Sequence, residues 1–447
     1  MKRIMSVLLA VAMLFALTAC GSQSESPTNS NGPSASSGSS GENSGVPEKT
    51  VITVWAQGGQ EEAPLTERFA EIEQELGNVE IVFENFPKQE QLDKLTVSQE
   101  VGDTPDIVFM DYLQVPYYYT LGMVECIDDR VSDELREDML PSVIDECSYN
   151  GKFYTLAMWD SGLSLWGNKS MLEDAGIRIP TSYTNAWDRA EFEDALQKLQ
   201  NNGIEHPFYM RQNNPSTNYF SYLPVVRSFG GDFMNRDTML TSGTLDGEKT
   251  IEAYEYVSWL VEQGYIDPYV DYDDGFNVRK ENALALIGSY QYQVYSAELG
   301  DDLIAIPIPD FGGGVYTCSG SGVYFMTTAA TQRGVGDLAY KVMEMLMTPE
   351  FVSKITDANG CIPGLKSVLE YKEGYQPGET FYLFREQLEA GISYLRPRTP
   401  AHMTNYSAVA EALSNIFLGA DPATELHKAA ESVDAVILEN GWDQWID

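Results

Sequence analysis

Thr50-Val51-Ile52-Thr53-Val54-Trp55 is rich in β-branched residues and reads as a buried strand. Leu65, Phe69, Ile72 and Leu76 recur behind it at helical spacing, and Gly77-Asn78 stops that helix. Val79 to Phe83 reads as a second strand. A polar helical stretch carrying Leu92 and Leu95 leads to a third, Asp106-Ile107-Val108-Phe109-Met110. Strand and helix alternating in this order predict an α/β lobe with a largely parallel sheet. Ligands of such sheets bind beyond the carboxyl ends of the strands. Those ends carry Trp55-Ala56-Gln57 and Asp111-Tyr112, which makes Trp55, Gln57, Asp111 and Tyr112 candidate ligand-binding residues.

Upstream of this lobe, Lys2-Arg3 precedes an apolar run from Ile4 to Ala19 that ends Leu17-Thr18-Ala19-Cys20. The run is short for a membrane span of about 20 residues, and basic, then apolar, then small residues is the layout of a secretory signal. Leu-Thr-Ala-Cys also resembles the lipobox of bacterial lipoproteins. That resemblance implies cleavage before Cys20, a diacylglycerol on that cysteine and a site of action on the extracellular face of the cell membrane. Residues 21–49 are mostly Ser, Gly, Asn and Pro without an aromatic residue, a composition that cannot offset the entropy of ordering. The reading is a signal peptide over 1–19 and a Ser/Gly-rich stalk over 20–49, long enough to hold the folded part on the order of 30 Å from the bilayer.

The chain has 447 residues, 43% hydrophobic, and a formal charge of −39. That length leaves room for two or three lobes after the stalk, and the charge with no basic stripe excludes nucleic acid as a partner. The three histidines, His206, His402 and His427, are scattered, which argues against a histidine-rich zinc site. Cys126, Cys147, Cys318 and Cys361 are an even number, but a chain this large does not need disulfides and their pairing stays open.

Tyr149-Asn150-Gly151-Lys152 signals a hairpin, because Asn-Gly supplies the positive φ angles of a tight turn. Phe153 to Met158 reads as a strand, interrupted by Trp159-Asp160-Ser161-Gly162 before Leu163-Ser164-Leu165-Trp166. Asp188-Arg189-Ala190-Glu191 is a capping-box-like start to a helix carrying Phe192, Leu196 and Leu199.

Tyr149-Asn-Gly-Lys-Phe-Tyr-Thr-Leu-Ala157, then Gly167-Asn168-Lys169 and Leu172-Glu-Asp-Ala-Gly176-Ile177, resembles the extracellular solute-binding proteins (family 1) of ABC sugar importers. Gly167 stands where that family usually has Tyr, and several residues separate Pro180-Thr181 from Trp187 where the family has them close, which marks a distant subfamily. Phe229-Gly230-Gly231-Asp232, Tyr265-Ile-Asp-Pro268, Glu281 to Gly288, Ile306-Pro307-Ile308-Pro309, Cys318-Ser-Gly-Ser-Gly322 and Tyr394-Leu-Arg396-Pro397 continue the likeness in order. The similarity spans roughly Val51 to Ile437.

The resemblance implies a two-lobed, periplasmic-binding-protein-like α/β fold (type II), each lobe a mixed, mostly parallel sheet flanked by helices, with a hinge between. Lobe 1 would be 50–158 with 318–368, and lobe 2 would be 159–317 with 369–447. It also implies that Trp159 and Asp160 in the first crossing lie in a ligand cleft. Asp232, Tyr290, Gln291, Ser319, Ser321 and Arg396 join them as candidates, since rings stack on sugar C–H faces and polar groups pair with hydroxyls. The implied function is capture of a carbohydrate, an oligosaccharide by preference, for ABC permease subunits, by a monomer without cofactor or metal and without catalysis. A peptide or other polar solute is the alternative ligand.

A surface glycoside hydrolase is the alternative of another class, since Asp and Glu abound, but no local motif selects a pair of them. Cys318-Ser-Gly-Ser-Gly322 lacks the spacing of a nucleophile elbow. In Asp271-Tyr-Asp273-Asp274-Gly275 the glycine comes a position early for a calcium loop and no Glu closes it, which reads as an acidic turn. Gly312 to Gly314 opens no helix, so a phosphate cradle has no support.

Overall fold

The structure is a computed structural model and describes residues 49–212, 215–270 and 274–445. The signal, the stalk and Cys20, and most of the acidic turn at 271–273, lie outside the described residues.

Two four-stranded sheets organise the chain: β1 (Thr50–Gln57), β2 (Val79–Phe86), β3 (Ile107–Asp111), β4 (Leu163–Asn168), β5 (Phe208–Tyr209), β6 (Leu284–Gly288), β7 (Leu303–Ile306) and β8 (Gly322–Met326). The first sheet runs β8-β3-β1-β2, with β1 parallel to both β2 and β3 and β8 antiparallel to β3. Ile107 to Met110 are all buried, as expected of a strand covered on both faces. The second sheet runs β7-β4-β6-β5, and here the expectation of a mostly parallel sheet needs correcting. The β7–β4 and β4–β6 pairs are antiparallel, and only β5–β6 is parallel. Each lobe is nonetheless a mixed sheet flanked by helices, the two-lobed α/β arrangement.

The core follows the sheets. Ile52, Val54, Ile107, Val108, Val323 and Phe325 belong to one cluster, and Leu163, Leu165, Phe192, Leu196, Leu284 and Leu286 to another. Leu369, Tyr375 and Phe384 join the first cluster although they follow residue 368. The capping box forms as its spacing predicts: Glu191 N donates to Asp188 Oδ1 at 2.8 Å and Asp188 N to Glu191 Oε2 at 3.3 Å. The hairpin forms too, Ser148–Tyr149 pairing with Lys152–Phe153 around Asn150 (φ 50°) and Gly151 (φ 71°).

Two segments cross between the sheets side by side. In the first, Trp159–Asp160 pairs with Ile362–Pro363 before the chain enters β4. In the second, Thr317–Ser319 pairs in parallel with Ser393–Leu395 before β8. Ser161 N donates to Gly320 O at 2.7 Å, and Leu163 N to Thr317 Oγ1 at 3.3 Å, so the crossings are laced together. Helices His402–Phe417 and Pro422–Asn440 add Val409, Leu413, Ile416, Leu426 and Ala430 to the second core. Beyond them the ring centroids of Trp442 and Tyr117 are 6.3 Å apart, and those of Trp445 and Tyr119 are 5.1 Å apart. All four cysteines of the described residues are free thiols, three of them buried and Cys126 exposed.

Candidate ligand-binding cleft

Because β1 and β3 are parallel neighbours, their carboxyl ends emerge together and present Gln57 and Asp111 side by side. Asp111 accepts from Leu113 N at 3.1 Å, which fixes its carboxylate at the start of the turn Tyr112–Gln114. Arg396, carried in just after Ser393–Leu395, brings Nη2 to 3.6 Å from Asp111 Oδ1. Its guanidinium also lies 5.1 Å from the ring centroids of Tyr112 and of Phe220. Burial pushes the Asp111 carboxyl up, but Arg396, with Lys88, His402 and the Leu113 amide, outweighs burial and holds it below the usual carboxylate range. Arg396 is buried, yet Asp111 keeps it firmly charged.

Opposite these groups stand Tyr290 and Gln291, in the turn Ser289–Gln291 that ends β6. Ser289 anchors that turn to the first crossing, its hydroxyl donating to Ser161 O at 2.5 Å. The second crossing forms the floor, and its glycines have a steric reason. A Cβ on Gly320 would stand 2.4 Å from Arg396 Nη2, and one on Gly322 would stand 2.2 Å from the Phe109 ring. The resulting cavity has a volume of about 400 Å³ and lies between the two sheets. Gln57, Asp111, Trp159, Tyr290, Gln291, Ser321 and Arg396 line it, all predicted from sequence. Trp159 shows it only an edge: the residue is 3% exposed and its ring packs 5.6 Å from that of Phe109.

The other predicted residues lie outside this lining. Trp55 is buried, its Nε1 donating to Glu84 Oε2 at 3.0 Å and its ring under Lys94 at 4.8 Å. Tyr112, Asp160 and Ser319 sit behind the cleft wall without exposed surface. Tyr112 OH accepts from Arg396 N at 3.1 Å, Asp160 accepts from Gly162 N at 3.0 Å, and the Ser319 hydroxyl bonds to that of Ser393. Asp232 lines a separate cavity, held by Arg236 at 3.3 Å, Arg227 at 3.5 Å and Tyr394 OH at 3.3 Å.

Sequence reasoning missed Glu61, Ser161 and Asn359, polar residues that also line the cavity. Glu61 follows the polar, glycine-rich Gln57-Gly58-Gly59-Gln60 and could have been found as part of that strand end. Asn359 donates to Glu61 Oε1 at 3.1 Å from the end of helix Pro349–Asn359, a placement that only the fold creates. Among the described residues no cluster of three or more His, Cys, Asp or Glu could hold a metal, and no helix is long and apolar enough to cross a membrane.

Residues 56–352 match the family of bacterial extracellular solute-binding proteins. The chain belongs to that family. The match takes in both crossings and every strand of the two sheets except Thr50–Trp55 of β1. This solute-binding protein is 24% identical over 380 residues to a binding protein of Brucella abortus, covering 82% of this chain and 87% of that one. It is 23% identical over 349 residues to the maltotriose-binding protein of Pyrococcus abyssi, covering 76% and 71%. Its fold superposes on the cyclic α-maltosyl-1,6-maltose binding protein of Arthrobacter globiformis with a TM-score of 0.74 at 20% identity, over 88% of this chain and all of the other. The sugar-binding protein MalE of Xanthomonas citri gives the same TM-score at 17% identity, over 88% and 98%.

Proposed function

We propose that this solute-binding protein captures a carbohydrate, an oligosaccharide by preference, in the cleft between its sheets and hands it intact to an ABC importer from a lipid anchor on Cys20. The observation that carries the reading is the Asp111–Arg396 pair with the Tyr290 ring across from it. A fixed carboxylate accepts from sugar hydroxyls, the guanidinium donates to them, and a ring offers a face for C–H groups. The names of the similar proteins, binders of maltotriose and of a cyclic maltosyl-maltose, support a sugar as the ligand class. The hinge reading takes 50–158 with 318–368 as one lobe and 159–317 with 369–447 as the other.

A panel of maltose, maltotriose, larger maltodextrins, other sugars and peptides, read by melting temperature, tests this. A ligand that binds the native state raises the transition by mass action. A sugar should shift it and be recovered unchanged. A shift by peptides alone, or recovery of a shortened sugar with turnover lost on replacing Glu61 or Asp111, would overturn the reading.

A further inference from the structure

Behind the cleft floor, two carboxylates have no surface facing water. Glu146, in helix Pro141–Cys147, and Asp160, in the first crossing, are both fully buried. They grip adjacent residues of the second crossing. Glu146 Oε2 is hydrogen-bonded to the Ser321 hydroxyl, while Asp160 Oδ1 accepts from Gly320 N at 3.4 Å as well as from Gly162 N at 3.0 Å. Their second oxygens, Glu146 Oε1 and Asp160 Oδ2, have no hydrogen-bond partner.

The charged groups nearby are committed elsewhere. Arg396 pairs with Asp111 at 3.6 Å, and Arg398 donates to Ser148 O at 2.9 Å and to Asp145 O, at the end of the helix that carries Glu146. Ser142 and Ser319 hydroxyls face Asp160. Tyr112, Cys147 and Cys318 face Glu146, and burial pushes all three up so that they stay neutral. Two like charges buried together without a cation in contact are strongly unfavourable, and such a pair retains a proton. Asp160, with two amide donors, is the better seat for the one negative charge, and Glu146, with a single hydroxyl, is the better seat for the proton. The direction of the Glu146 shift agrees: burial first, then Asp160, drives it well above the ordinary range, outweighing the opposing pull of the Ser321 hydroxyl and of the Arg396 and Arg398 charges.

We propose that Glu146 is a positioning residue held as the neutral acid, whose proton keeps the Gly320–Ser321 floor of the cleft seated against the first crossing. With the proton on Oε2 the carboxyl donates to Ser321 Oγ, which leaves the serine hydrogen free to be donated into the cleft. Without it, the serine hydrogen is committed to the carboxylate and two like charges face each other behind the floor. Only the link to ligand rests on the carbohydrate reading; the proton itself is measured without ligand.

The test uses the full chain, ligand-free, between about pH 5 and pH 8, below the range where thiols ionise. In wild type with ¹³C-carboxyl glutamate, one resonance should keep the position of the neutral acid after the others have titrated, and E146Q should lack it. The native state then holds a proton that the unfolded chain loses above the ordinary carboxylate range, so wild-type stability should fall with rising pH relative to E146Q. Amide exchange over 317–322, corrected for its intrinsic pH dependence, should become about tenfold faster in wild type as that proton leaves, and not in E146Q. Glutamates that all titrate in the ordinary range, or an E146Q variant with the wild-type pH slope, would overturn the proposal. The wild-type resonance decides the matter even if E146Q does not fold. A protein that shows the retained proton but is not stabilised by any sugar of the panel would sink the carbohydrate reading alone.

Discussion

Trp159 illustrates how much a single residue type conceals, because a tryptophan in a crossing loop reads from sequence as a stacking platform, yet its ring here packs on Phe109 and is 3% exposed. Trp159→Ala should therefore cost stability as a core truncation does, about 3–5 kcal/mol, measured by urea unfolding, and weaken sugar binding as well. Unchanged stability with weakened binding would place the ring free in the cleft instead. His402 makes the second prediction at this scale. Burial, with Arg396 and Lys88 beside it, holds its imidazole down to about 3 against the pull of Asp111. The unfolded chain takes up a proton near pH 6.5 that the native state refuses until about pH 3, so stability should fall as pH drops through that window. Melting curves of His402→Gln should show a shallower fall over the same range. Strand-end logic found Gln57 and Asp111 from local pattern. It also offered Trp55 and Tyr112, since a pattern along the strand does not say which neighbour meets solvent.

The elements were the most legible level, and their failures have local causes. The first strands, the helix between them and the Asn150-Gly151 hairpin follow from short-range chemistry, and each forms. Asp188→Ala removes one half of the capping box and should lower stability by about 1 kcal/mol in urea unfolding, with sugar affinity unchanged, because the cap lies on the surface of the second lobe. Phe153 to Met158 read as a strand, but only Phe153 is in one. Leu156 instead makes an isolated bridge to Tyr324, with N–H···O distances of 2.9 and 2.8 Å. That partner lies in β8, remote in sequence, and no local pattern announces it. The mostly antiparallel second sheet escaped for the same reason: β4 pairs with β6 and β7, whose order depends on connections rather than on composition. Asn359 and Arg396 reach the cleft by such remote placements, and Arg396 was legible only through its family-like setting.

At the scale of the whole molecule, two laced crossings and a cleft lined from both sheets fit a hinge, and a ligand touching both sides shifts the population towards the closed form. Small-angle scattering should show a smaller radius of gyration with a sugar that binds, and Asp111→Asn should reduce that change. An unaltered radius with saturating sugar would speak for a rigid site. The order in which the chain is made adds a different consequence. The first sheet is closed by β8, which pairs with β3 only after the whole of β4 to β7 has been laid down. Until Gly322–Met326 arrives, the edge of β3 is bare, and a bare edge that is apolar from Ile107 to Met110 invites pairing with another chain. Long-range closure of this kind is slow, so nascent chains that stall short of Gly322 should be the aggregation-prone species, while the second sheet already has all its strands.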